Sequence, residues 1–216
     1  MKEILRLALV LTAICVVAAA ALAQIYKVTA GPIAHQKRME MLRAIEAVLP
    51  AHDNEPDRDT YASETQGDEA RTFYIGRQGS EVTGSAFRVS DKDGYGGSIE
   101  AIVGVDPAGA VSGVRILDHR ETPGLGNKIA KPWFLDRIVF KDPETKKVRR
   151  TLENTDWRVK KDGGEIDQIT GATISPRSLV RAVSSGLQDF GDNREQILAA
   201  APPSKDDGTT GQRSAP

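Results

Sequence analysis

The chain has 216 residues, with 29 Lys and Arg against 30 Asp and Glu and a formal net charge of −1. That balance excludes a general nucleic-acid binder, which would carry a basic stripe, and an aromatic content of 5% leaves no base-stacking surface. Cys15 is the single cysteine, so an internal disulfide and a cysteine metal site are excluded; His35, His52 and His119 are scattered without ligand spacing, and no metal site is expected.

Residues 7–23 carry no charge, and their one polar side chain is Thr12. With Ile4, Leu5, Ile25 and Tyr26 the run reaches the ~20 residues that cross a bilayer. Two readings stand. One is a retained transmembrane anchor over residues 1–26. The other is a cleavable signal peptide, with Lys2 and Arg6 in front and Ala21-Leu22-Ala23 as its small-residue end. Both export the rest of the chain. Gly31-Pro32 predicts a break. Beyond it, residues 33–48 read as an amphipathic helix with Met41, Leu42, Ile45 and Val48 at helical spacing, ended by Pro50. An acidic, polar connection follows, so residues 27–70 form a helix and linker.

Residues 71–200 carry the pattern of a folded domain. Strands are predicted at 72–77, 82–89, 98–105 and 111–117, separated by turns containing Gly and Asp. The run 98–105 is the richest in apolar residues and should lie mid-sheet. Pro132 opens a short helix over 132–138, and 157–160 reads as a short strand. Helices are predicted at 176–190, with Leu179, Val180, Val183 and Leu187 on one face, and at 193–200. Residues 201–216 have almost no large apolar side chains and are expected to be disordered. Strands with segregated helices predict an α+β fold: a mainly antiparallel sheet with flanking helices, preceded by one N-terminal transmembrane helix.

The chain shows no paired carboxylate site, no Ser-His-Asp order and no Gly-x-Gly-x-x-Gly after a strand, so no catalytic side chain is expected. Its most informative stretch is Asp167-Gln168-Ile169-Thr170-Gly171-Ala172-Thr173-Ile174-Ser175-Pro176-Arg177. Three hydroxyls and a glycine turn precede a predicted helix, whose first N–H groups lack partners and favour an anion. Ser175 followed by Pro176 at the first helical position is also good capping chemistry. Local physics alone favours the cap over a phosphate site.

Asp-x-x-Thr-Gly-Ala-Thr, with the acidic residue at Asp167, resembles the flavinylation motif of the FMN-binding domain family. Upstream, Glu121-Thr122-Pro123-Gly124-Leu125-Gly126 resembles that family's Glu-Thr-Pro-Gly-Leu-Gly loop, in the expected order. Gly94-Tyr95-Gly96-Gly97 resembles its Gly-Tyr-x-Gly turn. These matches span most of residues 70–190. In layout the chain is similar to the G subunits of the Rnf ion-translocating electron-transport complex. It is related to the longer C subunits of sodium-pumping NADH:quinone reductases.

The resemblance implies a membrane-anchored flavoprotein that relays electrons in a multi-subunit complex, between ferredoxin and NAD, coupled to ion movement. It implies FMN held covalently by a phosphoester at Thr173, with Thr170, Gly171, Ala172 and Ser175 around the phosphate. Glu121, Thr122, Gly124, Leu125, Gly126 and Tyr95 would lie by the flavin. Lys161, or Lys160, would neutralise its charge. Asp167 would be read by a flavin transferase, a partner for maturation. It also implies a single retained span in the bacterial inner membrane, with the FMN domain on the periplasmic side. The alternatives are a C-type subunit of a sodium-pumping quinone reductase and a non-redox extracytoplasmic scaffold.

Overall fold

The computed structural model describes residues 2–63 and 71–200. The expected disordered tail, 201–216, lies outside the described residues, as does the end of the polar linker at 64–70. By contact density the chain divides into two compact units, Met1–Arg43 and Ala44–Pro216.

Helix α1 spans Lys2–Val48 and passes unbroken through Gly31 and Pro32, against the expected break. Pro32 forfeits one hydrogen bond and crowds the carbonyl four residues back, a local cost of ~3 kcal/mol. Long helical stretches on both sides propagate through it, because each further residue adds a bond without a new nucleus. The most apolar 18-residue window of α1 averages a hydropathy of 2.5 and none of it is buried. By length and composition it can cross a membrane.

The second unit is built on five antiparallel strands in the order β1 to β5: β1 Thr60–Ala62, β2 Thr72–Gln78, β3 Glu81–Gly94, β4 Gly97–Val105 and β5 Val111–Asp118. The four predicted strands are β2 to β5, and β4 is an interior strand. Alternation puts Phe73 and Ile75, Phe87 and Val89, and Ile99, Ala101, Val103 and Val105 on one face, where cross-strand pairs such as Phe73–Phe87 meet. Helix α3, Ile174–Ala199, covers this face with Leu179, Val183, Leu187 and Phe190, and the Phe190 ring stacks on Phe87 at 6.2 Å. It is one helix where two were expected. Gly191 meets nothing within 4 Å. Its cost of ~1 kcal/mol in a helix interior is outweighed by the packing on either side, which includes Ile197. Helix α2, Pro132–Val139, begins at its proline as predicted. The expected strand at 157–160 is a single parallel bridge, Val159–Ile166, running into a 3-10 turn at Lys160–Asp162.

Two features had no signal in the sequence. Strand β1 lies inside the polar stretch read as linker, and three residues give no periodicity to detect. Just before it, Asp59 forms a buried ion pair with Arg77 (2.6 Å), and Asn54 donates to the same carboxylate. Arg77 also donates to the Ala200 carbonyl at 2.6 Å, so the pair ties the end of α3 to the sheet.

The opposite face of the sheet carries a furrow of glycines. Gly76 and Gly84 are paired across β2 and β3, and Gly104 and Gly113 across β4 and β5. Residues 48–52 cross this furrow. A Cβ on Gly84 would lie 2.6 Å from Pro50, one on Gly113 2.9 Å from the Val48 Cα, and one on Gly104 would strike the Val48 carbonyl, which also accepts a hydrogen bond from the Ser112 hydroxyl. Val48 therefore packs against this face of the sheet, and Ile45, one turn before it in α1, is also buried. Gly104→Ala should lower stability by about 1–3 kcal/mol through overpacking, a drop of roughly 2–12 °C in the unfolding midpoint. Gly191→Ala, which meets no neighbour, should hold or raise it. Thermal unfolding of the two variants beside the parent chain checks this.

Candidate functional site

Three stretches far apart in sequence converge on a cleft of about 260 Å³. The β3–β4 turn supplies Tyr95. The loop after β5 supplies Glu121, Thr122, Leu125 and Gly126. The start of α3 supplies Gly171, Ala172, Thr173, Ile174 and Ser175. Of the residues singled out in the sequence, Thr170, Gly124 and Lys161 stand outside this lining. Ile174 lines it and had not been singled out, because it stands after the matched motif and before the predicted helix start at 176. Tyr95, Leu125 and Ile174 are 70, 44 and 42% exposed, so the rim is apolar and open.

The walls are shaped by backbone conformation. Gly124 and Gly171 have φ of +77° and +78°, the left-handed region that costs glycine no steric penalty. At Gly171 this lets Ala172 N–H bond back to the Ile169 carbonyl (3.0 Å), turning the chain into α3. The helix starts earlier than expected. Thr173 stands at the N-cap position and Pro176 in the third helical position, not the first. A proline is tolerated throughout the first turn, since those N–H groups have no intrahelical partner. Ser175 is therefore not the cap. Thr173 makes no side-chain cap bond either, which leaves its hydroxyl in the cleft wall at the positive end of a 26-residue helix.

Glu121 is turned inward and only 4% exposed. Its Oε1 accepts the Gly96 N–H at 3.0 Å and its Oε2 accepts the hydroxyl of Ser175, which is 1% exposed. His119 Nδ1 receives the Glu121 N–H at 3.2 Å. A Cβ on Gly126 would lie 2.5 Å from Glu121 Oε2, so this glycine is needed for close approach. Nothing in the sequence marked Glu121 as the junction between the three stretches.

Several charged side chains near the motif form ion pairs. Asp167 bonds Lys160 (2.6 Å) and Arg137 (3.1 Å), and Arg137 lies over the Trp133 ring at 5.2 Å. Lys160 is thus engaged by the acidic residue of the motif, and Trp133 lies outside the cleft lining. Arg177 makes a two-pronged contact with Asp162, which holds that carboxyl below its ordinary value. One and two turns beyond Ser175, Ser178 and Arg181 both bond Asp91 of β3, and Arg181 also reaches Asp93. Burial pushes the Asp91 carboxyl up, but the Asp93 N–H, Arg181 and Ser178 together hold it below its ordinary value of 3.8. A depressed carboxyl contributes stability above its unfolded-state pKa and loses it as the pH falls through its folded value. Asp91→Asn should therefore lower the unfolding midpoint at pH 7. The gap to the parent chain should close as the pH falls below about 3.8. Thermal melts across pH 2–7 measure it.

The FMN-binding domain model matches residues 94–188, and the model of the RnfG N-terminal region matches residues 1–48. The G subunit of the ion-translocating oxidoreductase complex from Shewanella amazonensis is 38% identical over 195 residues, covering 86% of this chain and 87% of that protein. The protein of the same name from Pseudomonas aeruginosa is 36% identical over 209 residues, covering 92% and 94%. Among solved structures, the C subunit of the Na(+)-translocating NADH-quinone reductase from Parabacteroides distasonis aligns with a TM-score of 0.52 at 14% identity. The match covers 74% of this chain and 94% of that one, and the two share the fold.

Proposed function

The chain belongs to the family of ion-translocating oxidoreductase complex G subunits, and from that premise we propose that it carries FMN covalently on Thr173 and relays electrons within its complex. It is a redox subunit of an ion-translocating oxidoreductase and a flavoprotein. The observation that carries the finer reading is the convergence of three separated segments on one cleft, with an uncapped threonine hydroxyl at the start of a long helix.

The residues present fit FMN. The cleft is lined by apolar side chains, two threonine hydroxyls and the first turn of α3. At about 260 Å³ it holds part of a flavin nucleotide, and the apolar rim of Tyr95, Leu125 and Ile174 extends the surface offered to a flat ring. Thr173 Oγ1 would lose its proton and attack the phosphorus of an activated flavin nucleotide, the phosphoester forming as the bond to the leaving phosphate breaks. The unpartnered N–H groups of the first turn would hold the remaining phosphate oxygens. Thr122, Leu125 and Gly126 would bound the ring on the other side. When bound, FMN supplies the electron transfer itself, while the chain supplies position and electrostatics. A covalent bond prevents loss of the cofactor from an exported domain.

In this reading α1 is a retained single span in the bacterial inner membrane and the domain is periplasmic. A flavin transferase recognises Asp167 and loads Thr173. The complex moves electrons between ferredoxin and NAD.

Protein coexpressed with a flavin transferase, denatured and run on a gel, should fluoresce under ultraviolet light. Thr173→Ala should abolish that signal. Thr170→Ala, outside the cleft lining, should keep it. A dark parent band would overturn covalent attachment, and a dark Thr170→Ala band beside a bright Thr173→Ala band would move the bond.

A further inference from the structure

We propose that Glu121 is a positioning residue: its buried carboxylate is the latch that holds the three walls of the cleft together around the flavin. The proposal rests on the flavin reading above and deepens it. Each wall is a glycine-rich stretch with little rigidity of its own. Gly97, Gly124 and Gly171 all have positive φ. One side chain hydrogen-bonds to both of the other walls. Glu121 Oε1 accepts from the turn at Gly96, Oε2 accepts from Ser175 in the first turn of α3, and Glu121 itself belongs to the loop between them. These partners are 25 and 54 residues away in sequence.

The backbone is fitted to the carboxylate on both sides. A Cβ on Gly94 would lie 2.7 Å from Oε1, and one on Gly126 2.5 Å from Oε2. A Cβ on Gly96 would strike the Arg120 carbonyl, so turn and loop are in direct backbone contact. Among the described residues no cation pairs with Glu121. Its partners are a neutral N–H and a neutral O–H, so its part is to place acceptors. The cleft's shape then depends on two hydrogen bonds that an amide can also form. In Glu121→Gln the amide oxygen accepts from Gly96, and the amide nitrogen donates to the Ser175 hydroxyl, which rotates to accept.

The test uses the full-length chain coexpressed with its flavin transferase. It reads covalent flavin per folded protein and the visible circular dichroism of the flavin. Glu121→Ala should cut loading at least about tenfold, or leave a flavin whose dichroism has collapsed, since about tenfold is the worth of one well-placed hydrogen bond. Glu121→Gln should restore both readouts to within about threefold of the parent. Val183→Ala, a core truncation on the same helix but outside the cleft, should lower the unfolding midpoint while leaving loading and dichroism unchanged. Parent-like loading and dichroism in Glu121→Ala would overturn the latch. So would equal losses in Glu121→Gln, or equal losses in Val183→Ala. A parent chain without covalent flavin would instead overturn the flavin reading itself.

Discussion

Helix α3 packs on the sheet through Gly186, where a Cβ would lie 2.5 Å from Val89 and 2.6 Å from Phe87. That close approach sets how near the helix lies to the sheet. The stacked Phe190 and Phe87 hold its later turns, and Asp91 receives Ser178 and Arg181 nearer its start. With those contacts fixed, Thr173 and Ser175 come to the end of the β3–β4 hairpin. The loop after β5 can then reach both through Glu121. The cleft is thus a by-product of packing. A helix on the face of an antiparallel sheet leaves its first turn beside the hairpin ends, and a few polar bonds turn that meeting point into a site.

The apolar part of this arrangement could be read from the sequence. Alternation along β2 to β5 and the helical spacing of Leu179, Val180, Val183 and Leu187 predict two facing surfaces, because a period of two and a period of 3.6 are local properties. The motif residues could be read too, and nine of the twelve that were singled out as cofactor-binding line one cleft. What escaped was non-local or conformational. Whether Glu121 faces a ligand or the interior depends on Gly96 and Ser175, which no window contains. Whether the helix starts at Ser175 or earlier depends on the turn at Gly171. Whether Gly31-Pro32 ends a helix depends on the strength of its flanks. The Asp59–Arg77 pair joins a supposed linker to a strand, and neither residue hints at the other.

The polar contacts differ in kind. Asp59–Arg77 is buried, with Asn54 and the Ala200 carbonyl as further partners, so removing one member would strand the other. The Asp167 pairs with Lys160 and Arg137 are each more than a third exposed. Their worth as static bonds is small, and they leave the acidic residue of the motif accessible at the surface.

The glycine furrow carries a consequence for where the extramembrane domain begins. Ile45 and Val48 are helical residues and are both buried, and Pro50 lies against Gly84. The last turn of α1 is therefore a sixth element of the sheet's packing. A soluble fragment cut in the customary way, after the apolar run and its helix, would leave an apolar trench across β2 to β5 open to solvent. Such a trench invites a second copy to fill it. The second compact unit begins at Ala44, inside the same helix that carries the candidate span.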